Sequence, residues 1–188
     1  MTSAPISVIL QKCSENDRMA QHELFYLYKK KVNDIVYNSL GGSFDVDDIV
    51  QQIFIALFNS LKLFKGNASF DTWVYRISVK ICTTQLRKKY RKRQPCVRYD
   101  STGIEVEDAR SWCNPAKALE QRDLERTVYA ALDKLSAEKR MIVVLYEMEG
   151  KSLEEIARIV RKPIGTVKSR LFHGRKALEK HLRGIAQP

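Results

Sequence analysis

Five side chains near the end of the sequence have the types and the spacing to recognise a nucleic acid. They are Lys168, Ser169, Phe172, His173 and Lys176, which fall on one face of a helix at about 100° per residue. Lysines neutralise phosphates, whereas hydroxyl, imidazole and phenyl groups can meet the edges of bases. The spacing therefore predicts a helix that enters a major groove. The alternative is a surface helix whose basic face is merely solvated.

Two helices joined by a tight turn are predicted to position this face. Ser152 and Glu155 have the spacing of a capping box, and Pro163 suits the first turn of the second helix. Each helix carries one apolar stripe at steps of three and four residues, formed by Leu153, Ile156, Ala157 and Val160 in the first and by Val167, Leu171 and Leu178 in the second. This pattern is typical of a helix–turn–helix.

A second cationic surface is predicted on a helix that runs from about Phe70 to Arg93 and ends in the basic sequence RKKYRKR. A run of charges is usually solvated, but one that ends a packed helix favours a nucleic-acid surface. The apolar stripe of this helix is formed by Phe70, Trp73, Val74, Ile77 and Ile81, and the side chains that it presents include Tyr75, Arg76, Lys80 and Thr84.

Composition indicates the same kind of partner and argues against a metal site. The 188 residues carry a formal net charge of +11, which favours a polyanion, and no segment has the pattern of a signal peptide or the length of a membrane span. We therefore expect a soluble intracellular protein without membrane insertion. The four cysteines and three histidines lack the spacing of metal ligands, so no cofactor is expected. Cys82 is predicted to be buried, and Cys96 and Cys113 can pair under oxidation as an alternative to reduced thiols.

The sequence predicts an all-α fold with two small helical domains and a flexible linker. The domains are residues 1–94 and 116–188, and residues 95–115 lack any apolar period. Counting Lys and Arg against Asp and Glu gives net charges of +7, −2 and +6 for residues 1–94, 95–115 and 116–188. The second domain is predicted to contain four helices, with Pro115 starting the first and Ser136 capping the next.

Apolar spacing also predicts the core positions of the other helices. Residues 1 to about 17 are predicted to be a short helix or arm, and a helix over Met19–Leu40 is stopped by Gly41-Gly42-Ser43. The predicted core positions are Leu24, Leu27, Tyr28, Val32, Ile35 and Val36 in the Met19–Leu40 helix, and Leu119, Leu124, Val128, Ala131, Leu132, Leu135, Met141, Val144, Leu145 and Met148 in the second domain.

The helix that begins near Asp45 carries two apolar stripes. Asp45, Asp47 and Asp48 suit the positive end of its dipole. The first stripe is formed by Ile49, Ile53, Ala56, Leu57 and Leu61, and the second by Val50, Phe54 and Phe58. Two stripes are more apolar surface than a small domain needs, which suggests a partner; the alternative is a helix buried on most sides.

Three blocks of the chain resemble bacterial sigma factors of the sigma-70 class, specifically the short extracytoplasmic-function (ECF) group. The blocks are DVDDIVQQIFIALF from Asp45, FDTWVYRISVKICTTQLRKKYRKR from Phe70 and SLEEIARIVRKPIGTVKSRLFHGRKAL from Ser152, within a resemblance that extends from about Leu24 to Leu182. In the family, these blocks dock on the polymerase, handle the minus-ten promoter element and read the minus-thirty-five element, respectively. The chain departs from the family's common residues at Lys80, Arg161, His173 and Gly174, where Asn, Gly, Arg and Ala are frequent.

The resemblance implies a promoter-specific transcription initiation factor of the bacterial cytoplasm that binds core RNA polymerase and promoter DNA and assists strand opening. It further implies an anti-sigma factor that masks the polymerase-docking surfaces. The residues carried over are Thr166, Lys168, Ser169, Arg170, Phe172, His173 and Lys176 for the minus-thirty-five element; Phe64, Lys65, Asn67, Trp73, Arg76, Lys80, Thr84, Arg87 and Lys88 for the minus-ten element; and Asp47, Asp48, Gln51, Gln52 and Phe54 for the polymerase.

Two other functions remain open at this point. A self-sufficient regulator would bind duplex DNA with its second domain alone, and residues 1–94 would be dispensable. An enzyme would use Asp45, Asp47 and Asp48 as a metal-dependent nuclease cluster. No histidine or distant acidic residue joins these three carboxylates in the sequence, which disfavours the nuclease.

Overall fold

The computed structural model describes residues 6–42, 44–93 and 115–183, without the side chains of residues 93 and 115–122. In these ranges the chain forms α-helices and a 3-10 turn, Leu61–Leu63, and no β-strand, which confirms the predicted all-α class. The helices are α1 (Ile6–Ser14), α2 (Arg18–Leu40), α3 (Val46–Ser60), α4 (Phe70–Arg93), α5 (Pro115–Leu132), α6 (Ala137–Glu147), α7 (Leu153–Val160) and α8 (Ile164–Arg183). Residues 94–114, with Cys96 and Cys113, and the side chain of Leu119 lie outside the described residues. None of the described helices is long and apolar enough to cross a bilayer.

Local hydrogen bonds fix the ends of several helices. A side-chain oxygen of the N-cap residue accepts a backbone N–H of the first turn at Asp17 for α2, Asp45 for α3, Ser136 for α6 and Ser152 for α7. The caps at Ser136 and Ser152 confirm the predicted starts of α6 and α7. Gly41 ends α2 with a φ of 72°, where the glycine pair predicted a stop.

Helices α1–α4 pack into one body, which we call the N-terminal module. Helix α2 contacts α1, α3 and α4, so that it lies at the centre of the module. The fully buried apolar side chains are Leu24, Val32, Ile35, Val36, Ile53, Leu57, Val74, Cys82 and Leu86. The burial of Cys82 was predicted, whereas Leu27 was predicted to be in the core and is exposed.

The second apolar stripe of α3 is buried within the N-terminal module. Val50 is buried, and Phe54 is only 3% exposed because its ring packs against Phe25, with 4.6 Å between the ring centroids. Phe58 is partly buried against the same core, and its ring centroid lies 6.0 Å from that of Phe54. The interpretation of this stripe as a partner surface is therefore wrong, and the alternative of a helix buried on most sides is correct.

Helices α5–α8 form the second body, the C-terminal module. Helix α8 packs on α5, α6 and α7 around buried Leu132, Met141, Ile142, Val144, Leu145, Ile156 and Val167. Two predicted core residues are instead exposed. Leu124 lies in α5 before the part of that helix that is buried, and Met148 follows the last turn of α6.

The two modules contact each other, in an arrangement that the sequence leaves open. Helix α4 of the N-terminal module packs along α6 and α7, and α2 touches α6. Apolar contact is supplemented by hydrogen bonds between residues that are 44 to 111 positions apart in the sequence. The two bodies therefore lie against one another in this structure.

Gly174 allows α8 to approach α6 closely, which leads to a stability prediction. A Cβ atom at this position would lie 2.7 Å from Cγ2 of Val143, whose β-branched side chain has little freedom to move. We expect Gly174→Ala to lower the free energy of unfolding by about 1–3 kcal/mol, despite the better helix propensity of alanine. Chemical denaturation measures this loss. In a Val143→Ala background the same substitution should be neutral or stabilising, and an equal loss in both backgrounds would contradict the packing explanation.

Candidate nucleic-acid interface

Helices α7 and α8 form the predicted helix–turn–helix. Ser152 Oγ accepts the backbone N–H of Glu155 at 3.1 Å, and Glu155 Oε2 accepts the backbone N–H of Ser152 at 2.8 Å. These two bonds complete the predicted capping box and hold the first turn of α7 in place. The buried faces of the two helices then meet at Ile156 and Val167, both fully buried. This contact fixes the rotation of α8 about its own axis.

The turn between α7 and α8 bends at Arg161. Its φ of 53° and ψ of 50° are left-handed, a conformation in which glycine is usually found. The backbone N–H groups of Arg161 and Lys162 both donate to the carbonyl of Ala157 and so close the end of α7. Helix α8 begins at Ile164, directly after Pro163, which was predicted to lie in its first turn.

The outer face of α8 is exposed, as predicted. Val167 and Leu171 are buried on the inner side, which turns the opposite side of the helix to solvent. Phe172 is 63% exposed and lies edge-on to His173, with 5.4 Å between ring centroids. Of the residues predicted to read the minus-thirty-five element, two are half-buried, Thr166 and Arg170. The other five are exposed: Lys168, Ser169, Phe172, His173 and Lys176. This face presents donors and one apolar ring, which suits a major groove.

The capping box makes the start of α7 sensitive to acid. The Ser152 backbone N–H stabilises the carboxylate of Glu155 and holds the pKa of that side chain below its ordinary value. The contribution to stability is therefore complete above the ordinary glutamate pKa and is lost as the pH falls through the lower, folded-state pKa. We expect thermal unfolding of the protein between pH 7 and about pH 3 to show this loss, and Glu155→Gln to remove that part of the pH dependence. Identical pH profiles for the two proteins would contradict the prediction.

A row of cationic and hydroxyl side chains follows α4. Arg76, Lys80, Thr84 and Lys88 recur at four-residue steps, and Arg87 lies beside them. All are exposed except Arg76, which is half-buried. We call these five residues the α4 row. Its spacing allows several phosphates of one strand to be bound along the helix.

An aromatic cluster lies at the start of α4, next to the loop that precedes it. The ring centroid of Phe64 is 5.4 Å from that of Phe70 and 5.5 Å from that of Trp73, both in edge-to-face arrangements. Trp73 Nε1 is buried and has no hydrogen-bond partner among the described residues. Lys65 and Asn67 of the loop are exposed. Half-buried rings beside exposed donors are suited to hold an unstacked base.

The C-terminal module covers part of the α4 row, a contact for which the sequence carried no signal. Arg76 Nε donates to the carbonyl of Arg158 at 3.1 Å, and Arg87 is paired with Glu138 at 2.5 Å. Tyr75 was predicted to be exposed, but it is buried, and its hydroxyl donates to Glu149 at 3.0 Å. A cavity of about 500 Å³ remains between the modules. Its lining combines apolar side chains with the two hydroxyls of Thr83 and Thr84, the carboxylate of Glu138 and six cations, Arg76, Lys80, Arg87, Arg161, Lys162 and Arg170.

The residues predicted to bind the polymerase lie on α3, but they do not form one surface. Asp47, Asp48 and Gln51 are exposed, and Gln52 is half-buried and donates to Asp48 at 2.7 Å. Phe54 points into the core, as described above, so its side chain cannot face a partner in this structure. Ile55, which was not predicted, is the large apolar residue that α3 exposes, at 53%.

The acidic residues at the start of α3 have structural partners. Asp45 Oδ1 accepts the backbone N–H of Asp48, and Asp48 accepts the amide of Gln52. In the part of the chain that the structure describes, no three His, Cys, Asp or Glu side chains are grouped so as to hold a metal ion. Two of the three carboxylates that the nuclease alternative requires, those of Asp45 and Asp48, therefore act as a helix cap and a helix-surface hydrogen bond.

Comparison with known proteins assigns both modules. The sequence matches the family Sigma-70 region 2 over residues 24–92 and the family Sigma-70, region 4 over residues 125–178. It is 33% identical over 184 residues to the ECF RNA polymerase sigma-E factor of Escherichia coli (strain K12), an alignment that covers 95% of this chain and 94% of that protein.

Two solved structures share the fold of this chain. CnrH in complex with the cytosolic domain of CnrY has a TM-score of 0.64 at 21% identity, covering 94% of this chain and 96% of that one. The sigma factor RpoE from Bartonella quintana, in complex with the anti-sigma factor NepR, has a TM-score of 0.60 at 24% identity, covering 86% and 96%. We conclude from the two family matches and the sequence relationship to sigma-E, together with the helix–turn–helix and the α4 row, that the chain belongs to the ECF group of sigma-70-class sigma factors. Members of this group are promoter-specific transcription initiation factors.

Proposed function

We propose that this sigma factor recognises its promoter with two separate helix faces. The C-terminal module, residues 116–188, reads the minus-thirty-five element with the outer face of α8. The N-terminal module, residues 1–94, binds the minus-ten element with the α4 row, and residues 95–115 link the two. The observation that supports this division is that each module presents one exposed face of cationic and hydrogen-bonding side chains on a single helix.

Strand opening in this proposal is driven by binding alone, without a catalytic step or a cofactor. Extruding a base from a duplex costs a few kcal/mol, and stacking on an aromatic side chain returns about 1–3 kcal/mol per base. The loop with Lys65 and Asn67, together with Phe64 and Trp73, forms the proposed base pocket. Arg87 and Lys88 then hold the adjoining phosphates of the opened strand.

The polymerase is proposed to dock on the exposed side of α3. Asp47, Asp48 and Gln51 supply charge and hydrogen bonds, and Ile55 supplies the apolar contact that buried Phe54 cannot make. Small interfaces of this kind depend on a few buried apolar anchors surrounded by polar residues. Core RNA polymerase, promoter DNA and an anti-sigma factor are the proposed partners, the last because RpoE of Bartonella quintana was solved with one. The proposed location is the bacterial cytoplasm.

Reconstituted transcription tests this function directly. Core bacterial RNA polymerase is incubated with a library of genomic promoter fragments, with and without the full-length protein, and the transcripts are sequenced. We expect a defined set of start sites that share spaced minus-thirty-five and minus-ten sequences and that appear only with the protein. The absence of any transcript above those of core polymerase would overturn the proposal.

A further inference from the structure

The cavity between the modules, which we call the inter-module cavity, has apolar walls on two helices that pack against each other. Trp73 and Ile77 of α4 line it from one module, and Ile159 and Val160 of α7 line it from the other. Its volume of about 500 Å³ lies within the range of about 300–1,000 Å³ that is usual for small-molecule sites. A flat ring can therefore lie between α4 and α7, next to the half-buried indole of Trp73.

The lining of the inter-module cavity carries an excess of positive charge. Six cations and one carboxylate line it, which gives a net charge of +5. Among the described residues, Arg87 is the one cation of the six that has an ion-pair partner, Glu138 at 2.5 Å. Like charges gathered around one cleft attract an anion and are stabilised when it binds. The ligand that suits this lining is therefore negatively charged.

Arg76 and Arg161 bring two of these charges together across the boundary between the modules. Burial and the neighbouring charge of Arg161 both lower the pKa of Arg76, so the two guanidinium groups repel each other. Arg76 donates through Nε to the carbonyl of Arg158, which leaves its terminal amino groups for a ligand. An anion with several charges would replace this repulsion by charge-assisted hydrogen bonds to both arginines.

Arg161 is held in a backbone conformation that suits glycine better than arginine. Its φ is 53°, yet its side chain is exposed and has no ion-pair partner among the described residues. Backbone strain of this kind often marks a functional position. Lys80 is exposed in the same cavity, and both residues depart from the Asn and Gly that are frequent in the family. These two departures raise the positive charge of the cavity.

We propose that the inter-module cavity binds a nucleoside polyphosphate, with its phosphates among Arg76, Lys80 and Arg161 and its base between the apolar side chains of α4 and α7. The polyphosphate supplies the negative charge that the cations attract, and the base is the flat ring that the walls accommodate. Because the site is built from both modules, the bound ligand links them. The proposal goes beyond the promoter function and does not depend on it, since the site requires neither DNA nor polymerase.

Arg161 separates this site from the DNA-binding surfaces proposed above. It lies in the turn before α8, outside the exposed face of that helix, and it belongs to a different module from the α4 row. A loss of ligand binding on its substitution would therefore not reflect damage to either proposed DNA surface.

Isothermal titration calorimetry of the full-length protein tests the ligand class with three probes: ATP, inorganic tripolyphosphate and adenosine. The buffer has an ionic strength of about 0.15 M and contains no divalent cation, so that only side chains of this chain bind the phosphates. We expect one ATP per chain with a Kd of about 1–100 µM. Tripolyphosphate should bind about 5- to 150-fold more weakly because it lacks a base to stack, and adenosine about tenfold or more weakly because it lacks charge.

Two substitutions and one control test the position of the site. Arg161→Gly and Lys80→Asn should each weaken ATP binding by about three- to tenfold. Arg161→Gly should not lower the free energy of unfolding measured by chemical denaturation, because glycine adopts a positive φ without strain. Lys92→Asn is the control, since it removes the same charge from α4 about 18 Å beyond Lys80, at a rise of 1.5 Å per residue, and Lys92 is exposed and does not line the cavity. Its ATP affinity should equal that of the wild type.

Fluorescence of Trp73 shows whether the base enters the cavity. In a Trp112→Phe background Trp73 is the single tryptophan of the chain, and we expect ATP to quench its emission with the Kd found by calorimetry. Absence of ATP binding, or equal affinities for ATP and tripolyphosphate, would overturn the proposal. An equal loss for Lys92→Asn and Arg161→Gly would overturn it as well, because the binding would then follow the net charge of the protein rather than the cavity.

Discussion

Replacing Ile53 by alanine is expected to lower the free energy of unfolding of the N-terminal module by about 2–5 kcal/mol. Ile53 is 0% exposed on α3, which packs on both α2 and α4, so the lost side chain leaves a cavity that rigid helices cannot close. Urea unfolding followed by Trp73 fluorescence measures the effect in a Trp112→Phe background, because Trp73 belongs to the N-terminal module and the chain has only two tryptophans.

The control for this prediction lies two residues away on the same helix. Ile55→Ala removes the same atoms from a side chain that is 53% exposed, and we expect its effect to stay within about 0.5 kcal/mol. Similar losses of unfolding free energy for Ile53→Ala and Ile55→Ala would contradict the structure, in which α3 turns Ile53 to the core and Ile55 to solvent. Ile55→Ala is then also the suitable variant for polymerase binding, since a loss of affinity would not be confused with unfolding.

Lys168→Ala is expected to weaken binding to the preferred minus-thirty-five sequence by about 1–3 kcal/mol, or roughly 5- to 150-fold. Lys168 lies one turn from the start of α8, on the exposed face, and side chains near the start of a recognition helix are those that reach base edges. The preferred sequence is first selected from a random duplex library with the wild-type protein. Affinity and base preference of the variant are then measured on the selected duplex and on single-base changes of it.

Lys180→Ala is the matched control for Lys168→Ala. It removes the same charge from the same helix, but about 18 Å further along its axis, at a rise of 1.5 Å per residue. We expect this variant to lose affinity only slightly and equally for all duplexes, with an unchanged base preference. Equal effects of the two substitutions would show that Lys168 binds only phosphates, and so would a loss of affinity for Lys168→Ala that is uniform over all sequences.

Helix ends and the exposed face of α8 were predictable because they depend on residues close together in the sequence. Ser152 and Glu155 are three positions apart, and their capping box formed as the spacing indicated. Likewise, once Val167 and Leu171 are buried, the geometry of a helix requires Lys168 and Phe172 to point outward. Such inferences need no knowledge of what lies further along the chain.

The environment of α3 and α4 was harder to predict because it depends on distant neighbours. Periodicity shows which side chains share a face, but not how many other helices cover that face. Phe54 was assigned to a partner and is buried against Phe25, and Tyr75 was assigned to the surface and is buried beside Glu149, 74 positions away. Arg140 is buried and donates to the carbonyl of Ser39, 101 positions away, a contact for which the sequence carried no signal.

Arg140 caps α2, because its Nε donates to the carbonyl of Ser39 at 2.7 Å, and this contact has a consequence for protein synthesis. The donor lies 101 positions after the carbonyl that it serves, and a ribosome adds about 5–20 residues per second. Helix α4 ends at Arg93, so Arg140 is added 47 residues (140 − 93) after the N-terminal module is complete, which takes about 2–9 s. A polymerase that meets the nascent chain in this interval encounters the N-terminal module before the C-terminal module has packed against it.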